Sequence, residues 1–139
     1  PQVRVAGCVL GVSFAALLIG CATGSGSASL KSEQWPVTAK ARAEARWGVI
    51  AKGDYDGAMA YFTTASAKDY TPKTLAAVWQ PLRPTGGVAQ GVNCDETGCD
   101  VTVNVSMSVR LPRVGFKQQI VPLVERWVPE NGEMRLIRR

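Results

Sequence analysis

Between Cys99 and Leu111 the chain reads Cys-Asp-Val-Thr-Val-Asn-Val-Ser-Met-Ser-Val-Arg-Leu, with an apolar residue or Cys at every odd position and a polar residue at every even one. Side chains on a strand alternate between faces, so this stretch is a long β-strand with one buried and one wet face. A helix could not sort these residues, because a period of 2 spreads apolar groups around a turn of 3.6 residues. The expected buried face is Val101, Val103, Val105, Met107, Val109 and Leu111. A slip of one residue would expose all of them, so the strand's pairing is tightly specified.

The 139 residues suit one domain with a short appendage. Apolar residues are plentiful and charges sparse, which excludes a disordered chain. The net charge is +5, or +4 once residues 1–20 and their single charge, Arg4, are removed. The cations Lys31, Lys40, Arg42, Arg46, Arg83, Arg110, Arg113, Arg135, Arg138 and Arg139 are scattered, without a dense run or aromatic interleaving. That argues against nucleic acid as a partner. It leaves contact with an anionic membrane surface or cell wall, or plain solubility. The chain contains no His, and so lacks the commonest general base and transition-metal ligand.

Residues 1–20 carry an apolar run from Val5 to Ile19, shorter than the roughly 20 residues a spanning helix needs and of the length of a signal-peptide core. The run ends in Leu18-Ile19-Gly20-Cys21, which resembles the lipobox of bacterial lipoproteins. The resemblance implies cleavage after Gly20, lipid on the Cys21 thiol and acylation of the new amino terminus, against ordinary secretory cleavage or an uncleaved anchor. Two or more acyl chains hold a protein stably on a membrane. Ala22 in place of Asp implies, by the same resemblance, the outer membrane of a Gram-negative cell, with the domain facing the periplasm. Residues 21–34 comprise that Cys and a Gly/Ser-rich tether. Residues 35–139 are left for the folded domain.

Trp35-Pro36 should open a helix that runs to about Ala51 and ends at Gly53, with Ala43, Trp47, Ile50 and Ala51 on its apolar face. Arg42 and Arg46, with Glu44 nearby, read as solvated surface. Asp54 should cap a second helix carrying Tyr55, Ala58, Met59 and Phe62. Residues 63–70 read as a loop or frayed end. Thr71-Pro72 opens a further short helix with Leu75, Val78 and Trp79 on its apolar side, stopped by Pro81 and Pro84.

Arg46-Trp47, then Gly53-Asp54-Tyr55, then Ala58-Met59-Ala60-Tyr61 resemble the opening helices of the nuclear-transport-factor-2-like superfamily, which includes ketosteroid isomerase and scytalone dehydratase. The resemblance covers about residues 36–139. It implies an α+β cone whose helices pack on the concave face of a curved, roughly four-stranded antiparallel sheet and enclose a pocket.

Val88–Cys94 is the next strand, with Val88, Gln90, Val92 and Cys94 expected on one face. Asp95-Glu96-Thr97-Gly98 connects it to the long strand, which places Cys94 and Cys99 opposite each other across a hairpin. Opposed strand residues lie close enough for a disulfide, and export would oxidise the pair. A C-x₄-C spacing with no His and no second pair is poor zinc geometry and is not the C-x-x-C of thiol oxidoreductases. Phe116–Val128 forms a third strand in which Pro122 requires a bulge or an edge. Asn131-Gly132 supplies the turn into Glu133–Arg138. The sequence Glu-Arg-Trp-Val, turn, Met-Arg-Leu-Ile resembles the superfamily's final hairpin, with Met134 where a Trp more often stands.

The resemblance implies catalytic Asp, Tyr or His side chains in the pocket of the family's enzymes. Here the candidates are Tyr55, Tyr61, Tyr70, Asp69 and Glu125, of which a Tyr donor with a carboxylate base would make a proton-shuttling isomerase or dehydratase. Trp47, Tyr55, Met59, Trp79, Met107 and Trp127 could line an apolar cavity for a small ligand, or simply be core. The expectation is a non-catalytic binding or assembly domain, held to membrane lipid through Cys21, with no cofactor, no metal and an envelope protein or small apolar ligand as partner.

Overall fold

The computed structural model describes residues 29–138. The expected signal peptide, Cys21 and the tether up to residue 28 lie outside the described residues. Leu30 already packs against the core, and the Trp35 indole donates to its carbonyl at 3.4 Å.

Among the described residues four α-helices precede four strands: α1 (Trp35–Ala51), α2 (Tyr55–Met59), α3 (Thr64–Ala67), α4 (Pro72–Trp79), then β1 (Gly86–Asp95), β2 (Gly98–Leu111), β3 (Gly115–Glu130) and β4 (Glu133–Ile137), with short 3-10 turns at Ser32–Gln34 and Gln80–Leu82. The strands form one antiparallel sheet in the order β1-β2-β3-β4. The class is therefore α+β, with an open sheet covered by helices.

β2 behaves as its alternation requires. Val101, Val103, Val105 and Met107 are buried, while Val109 and Leu111 are only half-buried. The last two extend past Ser106, the final β2 residue that pairs with β1. From there β2 and β3 continue alone as a two-stranded arm that turns at Pro112–Val114.

α1 lies over β1 and β2, burying Ala39, Ala43, Trp47 and Ile50. Trp47 sits so close to Gly87 that a Cβ there would lie 2.8 Å from the indole. Glu44 accepts from the Ala89 N–H at 2.8 Å. β1 does not keep the expected faces. Its register shifts between Ala89 and Gly91, with Gln90 as the extra residue. The bulge switches parity, so Gly87 and Ala89 face α1 on one side of it and Val92 and Cys94 on the other, while Val88 turns out to solvent.

The Asp54 side chain caps α2 through the Gly57 N–H, as expected. α2 stops before Phe62, however, because residues 61–63 run beside β4: Leu136 N–H donates to Tyr61 O and Thr63 N–H to Leu136 O. Thr63 then caps α3, a separate short helix where a loop or frayed helix end was expected, and Thr71 caps α4 in a capping box with Thr74. Asn131 and Gly132 both take positive φ, at 51° and 76°, to make the β3–β4 turn.

β4 pairs only with Arg126–Glu130, so along Gly115–Glu125 β3 has β2 on one side and no strand on the other among the described residues. Pro122 falls in that free edge without a register shift, and no ladder bond is lost for want of its N–H on that side.

Candidate functional site

The deepest chemistry lies where α1 crosses β3. Arg46, read from the sequence as solvated, is buried at 4 % exposure and Glu125 at 8 %. Arg46 Nη1 donates to Glu125 Oε1 at 2.7 Å. The Trp47 indole donates to the same oxygen at 2.9 Å, and the Trp127 indole donates to Oε2 at 3.1 Å. Glu125 is on the inward face of β3 because it pairs with Val101. Arg46 is brought to it by the helical stripe Ala39, Ala43, Arg46, Ile50, in which it takes the place of an apolar residue.

Burial pushes the Glu125 carboxyl above its ordinary value, against the opposing pull of Arg46 and the two indoles. Burial likewise lowers Arg46, opposed by Glu125. The guanidinium also lies over the rings of Trp47 and Phe62, at 5.2 and 5.4 Å.

A cavity of about 280 Å³ opens above the pair. Buried Arg46, Glu125, Phe62, Leu75 and Leu136 form its deep part, and Val78, Val124, Ile137 and Arg138 its exposed rim. Tyr70 and Trp79 complete the wall. Tyr70 stacks on Phe62 with centroids 4.9 Å apart, and Trp79 stands edge-on to Trp47 at the same separation. Arg138 reaches over Tyr70 and pairs with Asp69 at 3.7 Å.

Of the residues expected to line an apolar cavity, Trp79 does so here. Trp47 and Trp127 are fully buried and lie behind Glu125. Met107 is core. Tyr55 borders a different cavity, of about 380 Å³, with Ile50, Gly53 and Arg83. Met59 packs half-buried against the core and lines none of the described cavities. Among the proton-transfer candidates, Tyr70 and Glu125 share the cavity, Tyr61 stands edge-on to Trp127, and Asp69 is exposed beside Arg138. Glu125 Oε1 accepts from both Arg46 and Trp47, while Oε2 accepts from Trp127, so the carboxylate is held in place as an acceptor by three donors.

Cys94 and Cys99 are joined by a disulfide at the mouth of the β1–β2 hairpin. Beyond it, Asp95 Oδ1 accepts from Thr97 N–H, Thr97 Oγ1 and Gly98 N–H, and from Arg126 Nη2 at 2.6 Å. Asp95 and Gly98 pair, so the connection is a two-residue turn, shorter than the four residues expected. Among the described residues no cluster of three or more His, Cys, Asp or Glu could hold a metal, and no helix is long and apolar enough to cross a membrane.

Set against family models, curated proteins and solved structures, the chain matches none.

Proposed function

We propose that this chain is a non-catalytic binding domain of the bacterial envelope, held to the outer membrane by lipid on Cys21, which takes a small, largely apolar molecule into the cavity between α4 and the β3–β4 strands. Its fold is read as a nuclear-transport-factor-2-like cone on the strength of the helix and hairpin motifs quoted above. The observation that carries the binding reading is the composition of the cavity. Phe62, Tyr70, Leu75, Trp79 and Leu136 form most of its wall, Arg46, Arg126 and Arg138 also line it, and its one lining carboxylate, Glu125, is paired with Arg46 and held by two indoles. Such a site offers apolar contact and shape, with its carboxylate already engaged in an ion pair.

The test uses the full chain and 1-naphthol as a probe. Binding to the folded state alone raises the unfolding temperature with probe concentration. The rim variants Val78→Trp and Val124→Trp, at exposed positions, fill the entrance and should remove that rise. No rise in the unmodified chain, or an equal rise in both rim variants, overturns the reading.

A further inference from the structure

From Val101 to Val124 the chain contains no Asp or Glu, yet it carries Arg110, Arg113 and Lys117, all on the β2–β3 arm. Folding adds a fourth cation. Arg83, at the end of the turn after α4, lies with its guanidinium 4.2 Å from the centre of the Phe116 ring. All four are exposed, and none has an ion-pair partner among the described residues. Elsewhere Arg42, Arg46, Arg126, Arg135 and Arg138 are each paired with an acid. Lys31, Lys40, Lys52, Lys68 and Lys73 also lack an ion pair among the described residues but are spread over the helical layer, whereas these four cations stand on or beside one arm that has no acid of its own.

The same end exposes its apolar groups. Val114 is 69 % exposed, Phe116 50 % and Ile120 68 %. Val114 and Phe116 sit at the turn end of a ribbon two strands wide, which runs about 17 Å past the last β1 pairing, and Ile120 sits at its base opposite Ser106. Beside it, Arg83, Arg110 and Phe116 with Ala76, Ala77 and Pro81 line a recess of about 500 Å³ that holds two cations and no acid.

We propose that the tip of this arm docks on the surface of an anionic phospholipid bilayer. A narrow projection with apolar side chains at its end can enter a fluid boundary layer, which needs no preformed hollow to receive it. Val114 and Phe116 would sit at the level of the upper acyl chains. Arg110, Arg113 and Lys117 would lay their stems along that layer and hold their charges among the lipid phosphates. A folded acidic partner would instead have to present a cleft matched to cations on both faces of the ribbon. The contact is separate from the cavity and from Cys21, so it stands or falls independently of the proposed function.

The experiment follows amide hydrogen exchange in the full chain mixed with phosphatidylcholine nanodiscs and, separately, with nanodiscs that also contain phosphatidylglycerol. Each cation near an anionic surface is worth about fivefold in affinity. Exchange across residues 109–118 should slow about fivefold or more in the anionic discs alone, and the slowing should fade at 0.5 M salt. The triple variant Arg110→Ser/Arg113→Ser/Lys117→Ser should lose it while the amides of α1 and central β2 remain as protected as before. Val114→Ser, at an exposed turn position, gives a second variant with the same expectation. Equal exchange in the two kinds of disc overturns the proposal. So does slowing that persists at high salt or in the triple variant, or slowing that requires an added envelope protein.

Discussion

Arg46 and Glu125 meet at 2.7 Å across 79 residues of sequence, in a place where neither group is solvated. An ion pair of this kind makes little net contribution, but removing one partner strands the other. The chain carrying Arg46→Met should lose about 3–5 kcal/mol at neutral pH by urea unfolding. Glu125→Leu added to it should restore most of the loss. Acid should also help the single variant. Without Arg46, burial holds the Glu125 carboxyl still further above the ordinary value of 4.5. The folded state then binds a proton that the unfolded state releases, so stability rises as pH falls through that window towards 4.5. A variant equally unstable at pH 5 and pH 8 would contradict this account.

The opposite sign belongs to Asp95. The Arg126 hydrogen bond, followed by that of the Thr97 N–H, holds its carboxyl well below the ordinary value of 3.8. Stability from this group is fully present above 3.8 and is lost as pH falls through that value and below. Asp95→Asn should therefore flatten the acid limb of the stability curve between about pH 2 and 4 and leave its shape near neutrality unchanged. The Asp95 side chain is 60 % exposed, so added salt should shrink the difference. Acid limbs that superimpose would remove Asp95 from the explanation.

The disulfide closes a short loop, with its cysteines five residues apart. The chain-entropy relation gives about 2 kcal/mol for such a loop. Unfolding of the full chain under dithiothreitol, and of Cys94→Ser without it, should show similar losses of that size. Unfolding that reductant does not change would exclude the bond in solution.

The parts of this fold legible in the sequence are those settled by neighbours along the chain. β2 alternates over its whole length, Pro36 and Gly53 bracket α1, and Asn131-Gly132 can make little else but a tight turn. The parts that were hidden depend on distant partners. Arg46 occupies an apolar stripe position, a signal available beside Ala43 and Ile50, but its reason for being there is Glu125 on β3. α2 ends early because Leu136 takes the backbone of residues 61–63. Gln90 becomes a bulge because Gly87 must face Trp47 while Cys94 faces Cys99, and no local pattern announces that. The cations of the β2–β3 arm look dispersed in sequence because Arg83 joins them only through the chain's return.

Gly98 and Gly91 separate two roles that glycine plays beside the same hairpin. At Gly98 φ is +158°, and a Cβ would lie 2.3 Å from the Trp127 carbonyl oxygen and 3.0 Å from Val128. The first obstacle is backbone, so relief requires β2 and β3 to separate next to the buried Trp127. Gly98→Ala should cost at least about 1–3 kcal/mol, as overpacking does. At Gly91 a Cβ meets nothing within 4 Å. Ala there restricts the unfolded chain without crowding the folded one, so Gly91→Ala should be neutral or stabilise by about 0.4–1 kcal/mol. Thermal unfolding of the two variants side by side decides the matter. If Gly98→Ala melts with the unmodified chain, the close approach of Gly98 to the Trp127 carbonyl is not a constraint on the hairpin. If Gly91→Ala falls instead, the bulge at Gln90 needs the freedom of glycine after it.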